Sequence, residues 1–370
     1  MKKAVINALP YKPDASGIGV LIGGLFGTWA GQTETHCTVL LPQDAPPFPN
    51  EERCESVRIE SRHRDSLRRL WFQSFRMGRR YAKDAILLTT DSKTPFFLPG
   101  SCRLYPVITD LALYRMGEVY RLSRRLWWRF QYRYVRCRAW RYGAISEFTA
   151  GELTALFGIP RERIDILPCA CAEHYHRVTD ERELSALREK YALPGQYLLF
   201  VGSNNPRKNL ARLLRAYDLA AERDGTLPPL VIAGASGWKF HRDAVLGSLR
   251  HAEKIQFIGY VPDADMSALY SGAELFLFPS LYEGFGIPIL EAQRCGTPVL
   301  TGNNSSLPEV GGNAALYVDV MNERDIADGI LRLRQDAALR QTLRLRGYEN
   351  EKRFSWENSA RKLENALNRP

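Results

Sequence analysis

The feature that most constrains this 370-residue chain is a regular alternation of short apolar runs and amphipathic stretches through its second half. Residues 197–201, 229–233, 254–258 and 275–278 have strand composition, and residues 210–222, 240–249 and 263–270 between them read as helices. Such alternation dictates a parallel sheet with helices on both faces. The pattern culminates in residues 274–300, ELFLFPSLYEGFGIPILEAQRCGTPVL. An apolar run ends at Pro279-Ser280, and Glu283-Gly284-Phe285-Gly286 forms a glycine-rich turn. Residues 287–294 read as a helix with Pro288 in its first turn, where a missing N–H does no harm. Cys295-Gly296 closes that helix and Thr297 opens another buried strand.

Strand, tight loop, helix and strand place two carboxylates tellingly. Glycine amides in front of a helix N-terminus attract phosphate. Glu283 lies in the loop, and Glu291, two turns into the helix, can accept both hydroxyls of a ribose. Taken singly, an early helical Glu is usually an exposed dipole partner and a glycine loop only a turn. A second stretch points at the same ligand. After the strand at 197–201 comes Gly202-Ser203-Asn204-Asn205-Pro206-Arg207-Lys208-Asn209. Arg grips two phosphate oxygens and Lys supplies a compact charge, so a strand-end loop carrying both suits a diphosphate. Two independent stretches with one ligand outweigh the reading of Arg207-Lys208 as a surface basic pair.

The string EGFGIPILEA, with its two glutamates separated by seven residues, resembles the signature of retaining glycosyltransferases of the family 4 type. The likeness continues through PRKN at 206–209, GYVPDADMSALYSGAELFLFPS from Gly259 and SSLPEVGGNAALYVD from Ser305. It covers 197–319 well and the rest loosely, and is similar in character to bacterial surface-polysaccharide mannosyltransferases. The resemblance implies an α/β chain of GT-B type, two Rossmann-like domains facing across a cleft. Residues 1–176 would bind the acceptor and 177–353 the donor, with a helix at 354–370 returning to the first domain on Phe354 and Trp356. It implies that Arg207 and Lys208 neutralise a leaving nucleoside diphosphate without a metal or other cofactor. Gly202, Phe285 and the amides of Gly286 and Ile287 would join them. Glu291 would hold the ribose, and Glu283 the donor-sugar hydroxyls and developing positive charge.

The first half reads less distinctly. Residues 3–9 form a buried strand, followed by Ala15-Ser16-Gly17-Ile18-Gly19 and a glycine-rich helix over 20–30. The spacing G-x-G-x-x-x-G-G lacks the third glycine of a dinucleotide fingerprint, which weakens a dehydrogenase reading. In the family resembled, a loop here closes over the diphosphate, which singles out Gly17. Strands are expected at 36–41 and 85–90 with a helix at 65–82 between them, and 44–60 is placed as loop. Residues 103–110 are strand-like and end in Asp110, at the edge where ligands of open α/β sheets bind. Many relatives carry His-Asp at this point; the pair here is Thr109-Asp110. Retaining chemistry tolerates that, because the departing phosphate can take the acceptor's proton. Asp110 is thus a catalytic candidate, with a helix cap as its alternative.

Charge separates the halves. Residues 1–177 hold 27 Lys and Arg against 17 Asp and Glu, whereas 178–370 hold 24 of each, so the net +10 lies in the first half. Much of it falls in 114–143, where nine arginines meet one acid, Glu118. Arg121, Arg125, Arg129 and Arg133 repeat at i+4 in one helical stripe. A solvated face on a helix packed by its apolar side, including Leu122, Leu126, Trp127 and Phe130, explains this most simply. Contact of the arginines and Trp128 with an anionic membrane or lipid-linked acceptor follows closely, and nucleic acid is not expected. No run approaches the ~20 apolar residues of a span, and the N-terminus reads as a strand, not a signal peptide. Seven scattered cysteines without C-x-x-C indicate neither disulfides nor zinc; Cys169-Ala170-Cys171 reads as packing, and 172–180 as an interdomain linker. A cytoplasmic enzyme on the inner membrane face is expected. Its donor would be GDP- or UDP-linked, with GDP-mannose preferred, and its acceptor a lipid-linked glycan in lipopolysaccharide or polysaccharide synthesis. A sugar-nucleotide epimerase or hydrolase, or a non-catalytic basic membrane- or nucleic-acid-binding protein on this scaffold, are the rivals.

Overall fold

Apolar runs without charge become parallel strands because both faces of such a sheet are covered by helices. The computed structural model describes residues 3–12, 17–62, 66–90, 94–117, 122–234 and 242–369. It separates into two units, Met1–Ala170 with Phe354–Pro370, and Cys171–Arg353.

In the first unit the strands are β1 (Lys3–Asn7), β2 (His36–Pro42), β3 (Glu55–Ile59), β4 (Ile86–Thr90), β5 (Arg103–Ile108), β6 (Tyr142–Ala144) and β7 (Ile164–Ile166). They pair in parallel in the order β3-β2-β1-β4-β5-β6-β7. β3 corrects the expectation of loop throughout 44–60. It is an edge strand in register with β2, Thr38 opposite Glu55 and Pro42 opposite Ile59. Only Ile59 of its five residues is buried, so its sequence, ESVRI, carries no apolar run.

Residues 17–32 and 66–81 are helical, each with a π-helical segment inside, Ile22–Gly27 and Phe72–Arg76. The first of these packs on the helix Trp356–Leu367, which completes this unit. A side chain at Gly24 would lie 2.3 Å from the Trp356 ring, so the absent Cβ is what admits the indole. Phe354 and Trp356 are buried. Ser355 caps the helix by accepting from Asn358 N. Thr33 Oγ1 donates to Glu364 at 2.9 Å, and Ser359 Oγ to the Pro168 carbonyl at 2.6 Å.

The second unit has six parallel strands, β8 (Leu198–Val201), β9 (Leu230–Ala233), β10 (Ile255–Gly259), β11 (Leu275–Phe278), β12 (Val299–Gly302) and β13 (Ala315–Val318). Their order is β10-β9-β8-β11-β12-β13. The helix Leu210–Arg223 buries Leu213, Leu214 and Tyr217, and Glu323–Gln335 buries Ile326, Ile330 and Leu333, into one core with Leu198, Phe200 and Leu277. Of the helix expected at 240–249, Arg242–Leu246 is described and its start lies outside the described residues. Segment 172–180 is tied to this unit, His176 N donating to Ser267 Oγ and Val178 N to Ser271 Oγ. The sheet reverses direction of growth between β8 and β11, the kind of switch point beside which ligands of open α/β sheets bind.

Trp356→Ala empties a buried indole site between two helices and should cost about 3–5 kcal/mol. A lower melting temperature, with faster amide exchange over residues 17–32, checks it.

Candidate active site

The β8 and β11 loops meet at that switch point. After β8, Pro206–Lys208 forms a single 3-10 turn, capped by Asn205 accepting from Arg207 N. Asn209 follows in the left-handed region at φ +61°. Its buried amide donates to the carbonyls of Pro279, at 3.1 Å, and Val320, at 2.8 Å. Leu281 N donates to the Arg207 carbonyl at 2.8 Å. The two loops are thereby fixed to each other, which holds Arg207 and Lys208 beside Glu283.

Arg207 Nη1 lies 3.2 Å from Glu283 Oε2, and Lys208 Nζ 2.8 Å from Glu283 Oε1. Lys208 also sits over the Phe278 ring at 4.6 Å. Glu283 is buried, and burial alone would raise its pKa; Arg207 and Lys208 outweigh this and hold the carboxyl below its ordinary value. Burial pushes the Lys208 ammonium down, Glu283 opposes, and Arg207 adds to the fall. Two cations and one carboxylate leave the cluster one positive charge in excess. Low-dielectric surroundings make that charge felt strongly by an incoming anion.

Ser306 Oγ donates to the carbonyls of Glu283 and Phe285, and Glu283 N donates to Ser305 Oγ. Asn304 holds the Ser280 and Leu281 carbonyls. Gly286, at φ +114°, turns the chain into the helix Ile287–Arg294, a conformation that requires glycine. Amides at this helix start suit a phosphate. Glu291, two turns on, is partly buried and accepts from Tyr270 OH at 2.7 Å. Burial lifts its pKa to about 7, Tyr270 works against the rise, and Asp263 adds to it.

Of the sequence candidates, Arg207, Lys208 and Glu283 are brought into contact; Phe285, Gly286 and Ile287 follow Glu283 into the helix start, Glu291 lies further along that helix, and Gly202 directly follows β8. Sequence reasoning missed Asn209, Asn304, Ser305 and Ser306 as the residues that position the loops. The left-handed Asn directly after the basic pair was the available signal.

In the first unit, Asp110 Oδ1 accepts from Ala112 N at 3.0 Å, a local turn leading into the helix Ala112–Arg115, whose N-cap is Leu111. Gly17 is exposed at the start of helix Gly17–Leu21. Arg121 lies outside the described residues. The helix Leu122–Arg138 carries Arg125, Arg129 and Arg133, but packs by a different face from the one expected. Tyr132 and Val135 enter the core and Trp128 packs against it, while Leu126 and Phe130 are each 55% exposed. Trp127, not Trp128, faces outward with the arginines. Cys169 and Cys171 are buried, and burial pushes both thiols up, as suits packing. Among the described residues no group of three His, Cys, Asp or Glu is arranged to hold a metal, and no helix is long and apolar enough to cross a membrane.

Residues 185–350 match the family described as glycosyl transferases group 1. O-antigen chain mannosyltransferase B of Escherichia coli is 40% identical over 227 residues, 60% of this chain and 58% of that protein. Serotype-specific mannosyltransferase WbdA of Escherichia coli is 33% identical over 225 residues, 59% of this chain and 27% of that protein. The matched stretch therefore spans just over half of one relative and about a quarter of the other. Sucrose-phosphate synthase from Thermosynechococcus elongatus superposes with a TM-score of 0.75 at 17% identity, over 99% of this chain and 98% of that one. The fold is GT-B, two Rossmann-like parallel-sheet domains, and the likeness to the glycosyl transferases group 1 family extends over residues 185–350.

The raised carboxyl of Glu291 has a stability consequence. Between its ordinary value of 4.5 and about 7 the folded chain keeps a proton that the unfolded chain has lost. Stability therefore falls as pH rises through that window and levels off above it. Glu291→Gln should stabilise the protein at pH ~8 by about 1–3 kcal/mol, with the gain vanishing near pH ~4. Urea midpoints at both pH values check this.

Proposed function

We propose that this protein is a retaining glycosyltransferase that moves a hexosyl group from a nucleoside-diphosphate sugar to a glycan acceptor. The observation that carries the reading is the cluster of Arg207 and Lys208 on the buried Glu283 at the β8/β11 switch, 2.8–3.2 Å between charges, just ahead of the Gly286–Ile287 helix start. In the reaction proposed, the bond from the anomeric carbon to the diphosphate breaks. A bond to the acceptor oxygen forms on the same face, and the acceptor's proton passes to the departing phosphate oxygen. Negative charge grows on the diphosphate as it leaves, and Arg207, Lys208 and the helix-start amides are placed to stabilise it, an electrostatic term that acts chiefly in the transition state. Glu283 is assigned to the sugar hydroxyls and the positive charge developing at the anomeric carbon, and Glu291 to the ribose hydroxyls.

The donor we favour is GDP-mannose, in keeping with the mannosyltransferase names of the two relatives. The acceptor is assigned as a lipid-linked glycan of polysaccharide synthesis, bound through the basic first unit at the inner face of a membrane. No metal is required in this scheme, since two side-chain cations already serve the diphosphate.

Arg207→Ala should reduce kcat by roughly 10²–10³-fold while leaving the fold intact by circular dichroism; wild-type turnover in this variant would refute the assignment. GDP should raise the melting temperature more than UDP or ADP do, by linkage to the folded state. An equal response to all three would remove the case for guanine. Turnover should survive excess EDTA.

A further inference from the structure

Twelve large apolar side chains are exposed among the described residues, and nine of them belong to the first unit, seven of which build one surface. Three segments build it. Residues 66–81 present Leu67, Trp71 and Phe75, the loop at 94–99 presents Phe97, and Leu122–Arg138 presents Leu126, Trp127 and Phe130. The rings are in continuous contact, Trp71 with Phe75 at 6.3 Å between centroids, Phe75 with Phe96 at 5.8 Å, and Phe96 with Phe130 at 5.5 Å. The loop is clamped between the helices, Phe96 N donating to the Ser74 carbonyl and Tyr134 OH to the Phe96 carbonyl. Met77, Tyr132 and Val135 below belong to one core cluster, so both helices cover the same face of the sheet. Their opposite sides, which water would normally make polar, are aromatic. Contiguous apolar surface of this kind marks an interaction site.

Charge selects the occupant. Residues 66–81 contain five arginines and 122–138 six, and the three segments contain no Asp or Glu. The guanidinium of Arg76 lies 4.5 Å from the Trp71 ring and that of Arg79 4.1 Å from the Phe97 ring, so the cations sit level with the aromatic rings. Arginine beside aromatic rings also occurs in protein interfaces, but eleven arginines without one Asp or Glu suit a uniformly anionic surface. A bilayer surface accepts both together, aromatic rings at headgroup depth and arginines gripping phosphate oxygens two at a time.

We propose that residues 66–81, 94–99 and 122–138 form a docking surface for an anionic lipid bilayer, with Trp71, Phe75, Trp127 and Phe130 at headgroup depth and the arginines on lipid phosphates. This gives a surface to the membrane association in the proposed function and rests on that part of it alone. Half of the surface, residues 66–81 with the loop, comes from a stretch in which the sequence pattern indicates only a helix.

The test is co-sedimentation of the full chain with vesicles of phosphatidylcholine, alone or mixed with phosphatidylglycerol. Binding to the mixed vesicles is expected and should weaken as salt rises from ~0.1 to ~1 M, which contracts the screening length from ~10 to ~3 Å. Trp71→Ala with Phe130→Ala should lower partitioning by roughly tenfold or more at unchanged melting temperature, because both side chains are exposed in the folded chain. Arg76→Ala with Arg79→Ala should flatten the salt dependence. Arg207→Ala should bind vesicles as the wild type does, which separates failure of the surface from failure of the catalytic reading. The proposal is overturned if neutral vesicles bind equally well, if the aromatic double variant binds normally, or if that variant instead converts a dimer to a monomer in sedimentation velocity.

Discussion

A buried carboxylate, Glu283, met by two partly buried cations at the end of one parallel sheet is the constraint around which the second unit is arranged. Taking the Glu283 carboxylate out of water is costly unless opposite charge meets it, and Arg207 and Lys208 supply that charge from less buried positions. Everything near them serves that condition. Asn209 and Asn304 fix loop carbonyls from segments far apart in sequence, and Ser305 and Ser306 hold the backbone around Glu283. The result is a site set before a ligand arrives, with its cations already oriented and its net charge favouring an anion. Preorganisation of this kind is what makes electrostatic stabilisation effective, since no dipole need reorient during reaction.

The second unit was largely legible in the sequence, for a physical reason. LFLF, LLFV and LVIA are uninterrupted apolar runs because both faces of their strands are buried. The loops between them carry Gly, Pro and charge in patterns that few structures need. Residues whose work lies in bridging segments distant along the chain were not legible. Asn209 looks like any polar loop residue until Pro279 and Val320 are seen beside it. β3 was hidden because an exposed edge strand need not be apolar.

Helical phase was the other limit. Trp127 and Trp128 are adjacent, and arginines flank both, so periodicity alone cannot say which indole meets the sheet. Tyr132 and Val135 decide it by entering the core, and the decision turns Leu122, Leu126 and Phe130 outward. An apolar stripe, ordinarily the mark of a buried face, is the exposed face of this helix. The second unit carries the charge-locked cluster and the first an aromatic and basic surface, so the two differ in surface chemistry.

The first unit is also discontinuous in the chain: its glycine-rich helical segment at 17–32 rests on Trp356 and Glu364. During synthesis those early residues emerge with one side uncovered, and their partner is not made until the whole of the second unit has followed. The second unit, continuous in sequence, can complete its core first. Closure of the first therefore waits on contacts separated by more than 300 residues, as between Thr33 and Glu364 with a separation of 331. The first unit is thus closed by segments from both sides of the second in sequence.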